Sequence, residues 1–233
     1  MKIFELPIIN NDLYAQVNTI LDGVTGVKNF VEPFCSDTSM FLNMSRKFNK
    51  VVANDISKDK IRILKSFRDV TYDQLIKMRE DVVSEFGDIG VSKNNMNEFV
   101  EHYSNMYDSD KSVERGLFLY ISYTPQIISK DDFDKAQKIL LDTLFYCSSF
   151  EQIVDIYDNE DVLFFFNPPY IYDKKIFDYE EFRRSFQLIK GKIIYMDVYD
   201  KDTLKHLKNS TGKKWKHVNM DRGDYKESIY YNF

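Results

Sequence analysis

Cysteine and histidine are scarce in this chain of 233 residues, which holds two cysteines, Cys35 and Cys147, and three histidines. So few thiols cannot make a disulfide framework, and their spacing with histidine makes no zinc site, so no metal is expected. Glycine and proline are also few, at 8 and 5. That excludes the low-complexity compositions that stay disordered. No apolar run approaches the ~20 residues that a membrane span requires. The opening MKIFELPIINNDLY is too polar and acidic for a secretory signal, so a cytoplasmic, intracellular protein with no membrane partner is expected. Positive charge is not in excess either: 32 Lys and Arg stand against 37 Asp and Glu, a net charge of -5. A general affinity for phosphate backbones therefore has no support from composition, because that affinity comes from clustered Lys and Arg. Local clusters do occur. Residues 201–216, KDTLKHLKNSTGKKWK, are basic, and residues 155–161, DIYDNED, are acidic.

What the chain does have is 43% hydrophobic and 30% charged residues, enough to bury one core. Heavy use of Asn, Asp, Lys, Ile and Tyr points to an AT-rich genome. Short apolar runs predict buried strands at 28–34, 50–55, 162–166 and 192–199, with a closing pair at 214–220 and 227–233. Ser57 can cap a helix over KDKIRILKSF. Helical patterns then follow at 71–84, 94–107, 113–122 and 131–142 with no convincing strand between them, and again near 178–189 and 201–208. Strands alternate with helices at both ends of the chain and the middle is helical, so the fold class is α/β, a sheet with a helical insertion and a C-terminal antiparallel hairpin around DRGDYK. The expected division is 1–70 with 143–233 for the sheet domain, and 71–142 for the insertion.

Two segments could carry chemistry. The first is VLFFFNPPY, a five-residue apolar run that meets an amide, two prolines and a tyrosine. An exocyclic amine is a poor nucleophile while its lone pair is delocalised into a ring. The side-chain oxygen of Asn167 and the carbonyl of Pro168 could each accept one of its N–H groups and hold it for attack. Pro168 and Pro169 fix the backbone and bring no competing donor, while Tyr170 could stack on a base. The plainer alternative is a strand that ends at Pro-Pro with Asn in a turn. The second segment is VEPFCSDTSMFLN followed by VVANDIS, a strand, a turn and a helix with an acid, Asp55, at the end of the next strand, where ribose hydroxyls are often held. On spacing alone Asp55 is better explained as a solvated turn residue. Cys35 and Cys147 are expected as small buried residues, the histidines as surface or packing residues, and Trp215 as core.

Taken in order, FVEPFCSDTSMFLN, VVANDI, LFYCSSF and FFFNPPY resemble the motif succession of the Dam-type DNA adenine-N6 methyltransferases, the T-even phage enzymes among them. The closing ESIYYNF is similar to that family's last strand. The resemblance covers roughly 28–67 and 144–233. It implies a Rossmann-like class I methyltransferase sheet, S-adenosyl-L-methionine as cofactor, and DNA as partner, either a duplex with a flipped adenine or a single strand. Carried over by position, Glu32, Phe34 and Cys35 would flank the methionine and ribose, Asp55 and Ile56 would hold ribose and pack on adenine, and Ser149 and Phe150 would contact adenine. Asn167, Pro168, Pro169 and Tyr170 would be catalytic, with Tyr179 a weaker match. The resemblance also extends to a phage-encoded origin in a bacterial host.

The chain departs from that pattern in three places. Ser36 and Asp37 stand where glycines let the backbone approach the ligand, and a carboxylate near the cofactor's own would repel it by ~1–4 kcal/mol at about 4 Å. The first 17 residues carry no Gly-rich segment ending in Lys. Residues 117–131 lack Arg and Asn, where the family has a DNA-reading hairpin. These departures keep open a second reading, a degenerate methyltransferase-fold protein that binds no cofactor and serves as a binding or regulatory module with a protein partner.

Overall fold

In a computed structural model of the chain, the residues described are 12–35, 40–44, 47–86, 113–123, 128–168, 179–198, 202–221 and 226–233. In chain order they form α1 (Asp12–Asp22), β1 (Asn29–Glu32), a 3-10 turn (Met40–Leu42), β2 (Lys50–Asn54), α2 (Lys58–Asp69), α3 (Tyr72–Phe86), α4 (Val113–Tyr123) and α5 (Lys130–Leu141). There follow β3 (Thr143–Tyr146), α6 (Phe150–Tyr157), β4 (Val162–Phe166), α7 (Tyr179–Ser185), β5 (Lys192–Val198), α8 (Thr203–Thr211), β6 (Lys216–Asp221) and β7 (Lys226–Tyr231).

The strands join in one sheet of order β3-β2-β1-β4-β5-β7-β6. The first five run parallel. The sixth and seventh form an antiparallel hairpin, and β7 pairs antiparallel with β5, Ile194 facing Tyr231. This is the α/β sheet with a closing hairpin that the sequence predicts. Side chains alternate across the pleat, and the two faces bury different sets. Phe30, Ala53, Leu163, Phe165, Ile194 and Ile229 belong to the cluster under α1, α2, α4 and α5. Val31, Val52, Phe164, Phe166, Ile193 and Tyr195 belong to the cluster under α6, α7 and α8. A strand buried on both faces needs an unbroken apolar run, and VLFFF supplies it: all five residues of β4 are buried.

Helices α3, α4 and α5 of the expected insertion continue the first of these clusters. The crossing of α4 on α2 depends on Gly116. A Cβ there would lie 1.9 Å from Ser66 Oγ and 2.7 Å from the Arg62 carbonyl oxygen, so a side chain would force the two helices apart. From α5, the Gln137 side-chain amide donates to the carbonyls of Phe67, Arg68 and Val70, which α2 leaves open at its C-terminus. The helix expected at 94–107 lies outside the described residues.

Two elements differ from the expectation. Thr143–Tyr146 is a strand, where the helical reading simply ran out at 142; four residues on a sheet edge, paired with β2 alone, give too short a pattern to stand out. Residues 150–157 form a helix with its own cap, the Ser149 hydroxyl accepting from the Gln152 amide at 3.5 Å. Ser149 followed by Gln three residues later is a capping-box pattern that could have signalled it.

Candidate functional site

From β1 the chain steps outward through β2 to β3, then returns to add β4 and β5 on the other side of β1. The strand order therefore reverses between β1 and β4, and an open α/β sheet leaves a crevice there at the carboxyl ends of its strands. Glu32 ends β1, Asn54 ends β2, and Asn167 with Pro168 directly follows β4. Asn167 is buried at that end. Pro169, Tyr170, Ser36 and Asp37 lie outside the described residues.

Asn54 holds three strand ends together. Its Nδ2 donates to the Pro33 carbonyl and to the Ser148 carbonyl, both at 2.9 Å, and its Oδ1 accepts from the Ser148 amide at 3.0 Å. The Cys35 amide donates to the Asn54 carbonyl at 2.7 Å, closing the same link from the other side. A buried primary amide with two donors and an acceptor is suited to tie backbones that have left the sheet ladder. The sequence reading missed this residue and singled out its neighbour Asp55. An amide at the end of an otherwise apolar strand, KVVAN, was the available signal, because a buried polar side chain requires partners.

The predicted acids lie beside it. Glu32 is fully buried, and its two carboxyl oxygens accept from the Met40 and Phe41 amides, both at 2.9 Å. It thereby anchors the far side of the turn that leaves β1. Asp55 accepts from the Ser57 amide at 2.9 Å and lies 3.8 Å from the Lys60 ammonium. Burial pushes the Glu32 carboxyl up to about 8, against the pull of the two amides and with added repulsion from Asp55. Burial also raises Asp55, less the attraction of Lys60 and the Ser57 amide. The Cys35 thiol, buried with both acids as neighbours, is pushed up as well, so it stays a neutral packing residue as expected. Cys147, by contrast, is exposed, against the expectation of burial, because it sits in the loop after the edge strand β3, its sulfur 3.6 Å from the Ile56 carbonyl.

The raised Glu32 value has a consequence for stability. Folded Glu32 keeps its proton between the ordinary carboxylate range and about 8, while unfolded Glu32 has released it. Linkage then makes the contribution of this group fully present below pH ~4.5 and lost as pH rises through about 8. Thermal unfolding of the wild type between pH 5 and 8.5 is expected to fall off more steeply than that of Glu32→Gln; parallel curves for the two proteins would refute it.

An aromatic wall closes the crevice on the β4 side. Phe34 lies 5.4 Å from Phe150 and 5.7 Å from Phe182, centroid to centroid, and Phe150 lies 5.1 Å from Phe182. Phe166 joins them from the end of β4, 5.5 Å from Phe182. Phe34 and Phe150 are only partly buried, whereas Phe166 and Phe182 form the buried backing. Ile56 is 78% exposed, an uncovered aliphatic face immediately after β2. The structure thus brings Glu32, Phe34, Cys35, Asp55, Ile56, Ser149, Phe150, Asn167 and Pro168 to neighbouring strand ends, and uses Ser149 as a helix cap.

A charged triad at the next strand was not foreseen. Arg183 of α7 pairs with Asp197 of β5 and donates to the Tyr195 hydroxyl at 3.3 Å, while that hydroxyl donates to Asp197 at 2.6 Å. Tyr195 and Asp197 sit two apart on one face of β5, and Phe166 faces Tyr195 across the pairing with β4. The triad holds α7, and with it Phe182, against the strand end next to Asn167. Its signal was the acid within KIIYMDV, which cannot be buried alone. Arg183 lies 14 positions away, beyond the reach of any local pattern.

Among the described residues, no three His, Cys, Asp or Glu side chains gather as a metal site, and no helix is long and apolar enough to cross a membrane. The family described as D12 class N6 adenine-specific DNA methyltransferase matches residues 11–232. No curated protein matches the chain.

Proposed function

The chain belongs to the D12 class N6 adenine-specific DNA methyltransferase family, and from that premise we propose that it transfers a methyl group from S-adenosyl-L-methionine to the exocyclic amine of adenine in DNA. The observation that carries this reading is the convergence of four segments, Glu32–Cys35, Asn54–Ile56, Ser148–Phe150 and Asn167–Pro168, on the crevice where the strand order reverses. Ligands of open α/β sheets bind at such a point.

The residues present suit that cofactor. A sulfonium compound is cationic, and a nearby cation would relieve the repulsion that Asp55 adds to buried Glu32. Asp55 would hold the ribose hydroxyls, the exposed face of Ile56 would cover one side of the cofactor's adenine, and Phe150 would lie at its edge. Phe34 and Cys35 would line the methionine side, and Asn54 would keep the three loops in register. When bound, the cofactor supplies an electrophilic methyl group.

Asn167 and Pro168 supply the acceptor side of the reaction. The Asn167 side-chain oxygen and the Pro168 carbonyl each accept one N–H of the target amine, which draws its lone pair out of conjugation and aims it along the line of attack. Tyr170 stacks on the base after it leaves the helix. The amine becomes cationic as it takes the methyl group and then releases one N–H proton to solvent, so no strong base is needed in advance. The aromatic wall excludes water from the same space, which strengthens these hydrogen bonds.

The competing reading, a cofactor-free binding module, rests on Ser36 and Asp37, which follow β1 in the sequence. The two separate cleanly. Incubation with methyl-tritiated cofactor and either duplex or single-stranded DNA is expected to place label in N6-methyladenine. Label absent from both substrates, or found only in another nucleoside, overturns the proposal.

A further inference from the structure

The lysine-rich segment noted in the sequence is not absorbed by this site. Strands β5 and β6 both run antiparallel to β7, so they are parallel to each other and begin at the end of the sheet away from the crevice. Lys192 opens β5 and Lys216 opens β6, and the loops and helix end around them bring Lys190, Lys208, Lys213 and Lys214 to the same end. Lys190, Lys208, Lys214 and Lys216 are exposed, and Lys192 and Lys213 are half-buried. None of the six is in an ion pair with a described residue, although such pairs form elsewhere on the surface, as between Lys130 and Asp134.

Three of the six side chains, those of Lys192, Lys213 and Lys216, are held in place. Lys192 donates to the Thr25 carbonyl and Lys213 to the Ile189 carbonyl. The Lys192 ammonium also lies 5.8 Å above Phe233 and the Lys216 ammonium 5.6 Å above Tyr231, two rings whose centroids are 5.4 Å apart. Acid borders this surface on the β4 side, at Asp158, Glu160 and Asp161. The Asp158 carboxylate is engaged by the Lys190 and Gly191 amides at 2.8–3.0 Å. In a chain of net charge -5, six ammonium groups on one edge repel one another with no ion pair to a described residue, and the relief they have is the attraction of Asp158 for Lys213, two carbonyls and two rings.

We propose that this edge, formed by Lys190, Lys192, Lys208, Lys213, Lys214 and Lys216, is a second nucleic-acid contact, one that takes the phosphate backbone of a DNA stretch distinct from the one at the crevice. The proposal rests on the family's DNA substrate and not on catalysis. Several cationic groups beside partly exposed rings match a polyphosphate strand, whose binding is driven by release of condensed cations. Lying at the opposite end of the strands, the edge reads no bases; it raises the local concentration of DNA and its contribution is independent of sequence.

The test uses the full chain, no methyl donor, and a fluorescein-labelled duplex of about 30 base pairs, with affinity measured by anisotropy across a salt series. Three of the four exposed lysines are changed together, K208Q/K214Q/K216Q, and an arginine version, K208R/K214R/K216R, restores the charge. The glutamine protein should bind at least about tenfold more weakly at low salt and lose about 2.7 from the slope of log affinity against log salt, about 0.9 for each phosphate contact removed. The arginine protein should regain both. Equal affinity and slope in wild-type and glutamine proteins overturns the proposal. So does a glutamine protein that loses binding to polyglutamate while keeping DNA, which would make the partner an acidic protein. An unfolding midpoint close to wild type shows that the glutamine protein folds; if it does not, K190Q/K208Q read against the same slope decides. A chain that proves to transfer no methyl group leaves the result standing, because no methyl donor is in the assay, and Asn167→Ala should keep the full lysine-dependent slope.

Discussion

Asn167→Ala is expected to lower methyl transfer to adenine at least about a hundredfold, the cost of losing one oriented partner of the reacting amine. Cofactor affinity and the unfolding midpoint should change little, because the role proposed for that oxygen is to accept from the target amine. Asn167→Asp is the informative partner. A carboxylate accepts an N–H as well as an amide does, so this variant should retain most of the activity. Transfer unchanged in Asn167→Ala, measured with methyl-tritiated cofactor, would remove Asn167 from the chemistry and with it the mechanism proposed for NPPY.

The second large effect is on stability. Arg183→Met leaves the Asp197 carboxylate, 9% exposed, with the Tyr195 hydroxyl and no paired cation among the described residues. Stranding a buried charge in this way costs ~3–5 kcal/mol, whereas replacing both partners by groups without charge costs much less. Denaturant unfolding should therefore show a large loss for Arg183→Met and a partial recovery when Asp197→Asn is added. Recovery is the decisive observation: if the loss came from packing of the arginine stem, the second change would add to it. Because Phe182 precedes Arg183 and touches Phe34, Phe150 and Phe166, the single variant should also loosen the crevice wall.

What could be read from the sequence was whatever lies in a contiguous pattern. The strand 162–166 is legible to the residue because a doubly covered strand has no choice but to be apolar throughout. The C-terminal hairpin shows itself through two alternating segments around DRGDYK. The four motif segments are legible in order, but their meeting depends on the strand order, which no local pattern contains. Asn54 escaped notice because its three partners come from Pro33 and Ser148, at separations of 21 and 94 residues. The pairing of Arg183 with Asp197 escaped for the same reason. Strand β3 escaped for another: four residues with one neighbour carry too little periodicity to compete with the helix before it. The lysine edge was visible as composition only, since its coherence depends on β5 and β6 starting at the same end of the sheet.

Every catalytic version of this account passes through the crevice bounded by Glu32, Asp55, Ile56 and Asn167. Titration calorimetry of the full chain with S-adenosyl-L-methionine tests it most directly. One site per chain with a dissociation constant in the micromolar range, about -8 kcal/mol, is the predicted result. No binding heat at any cofactor concentration up to the millimolar range, from a chain whose unfolding midpoint shows it to be folded, would contradict it.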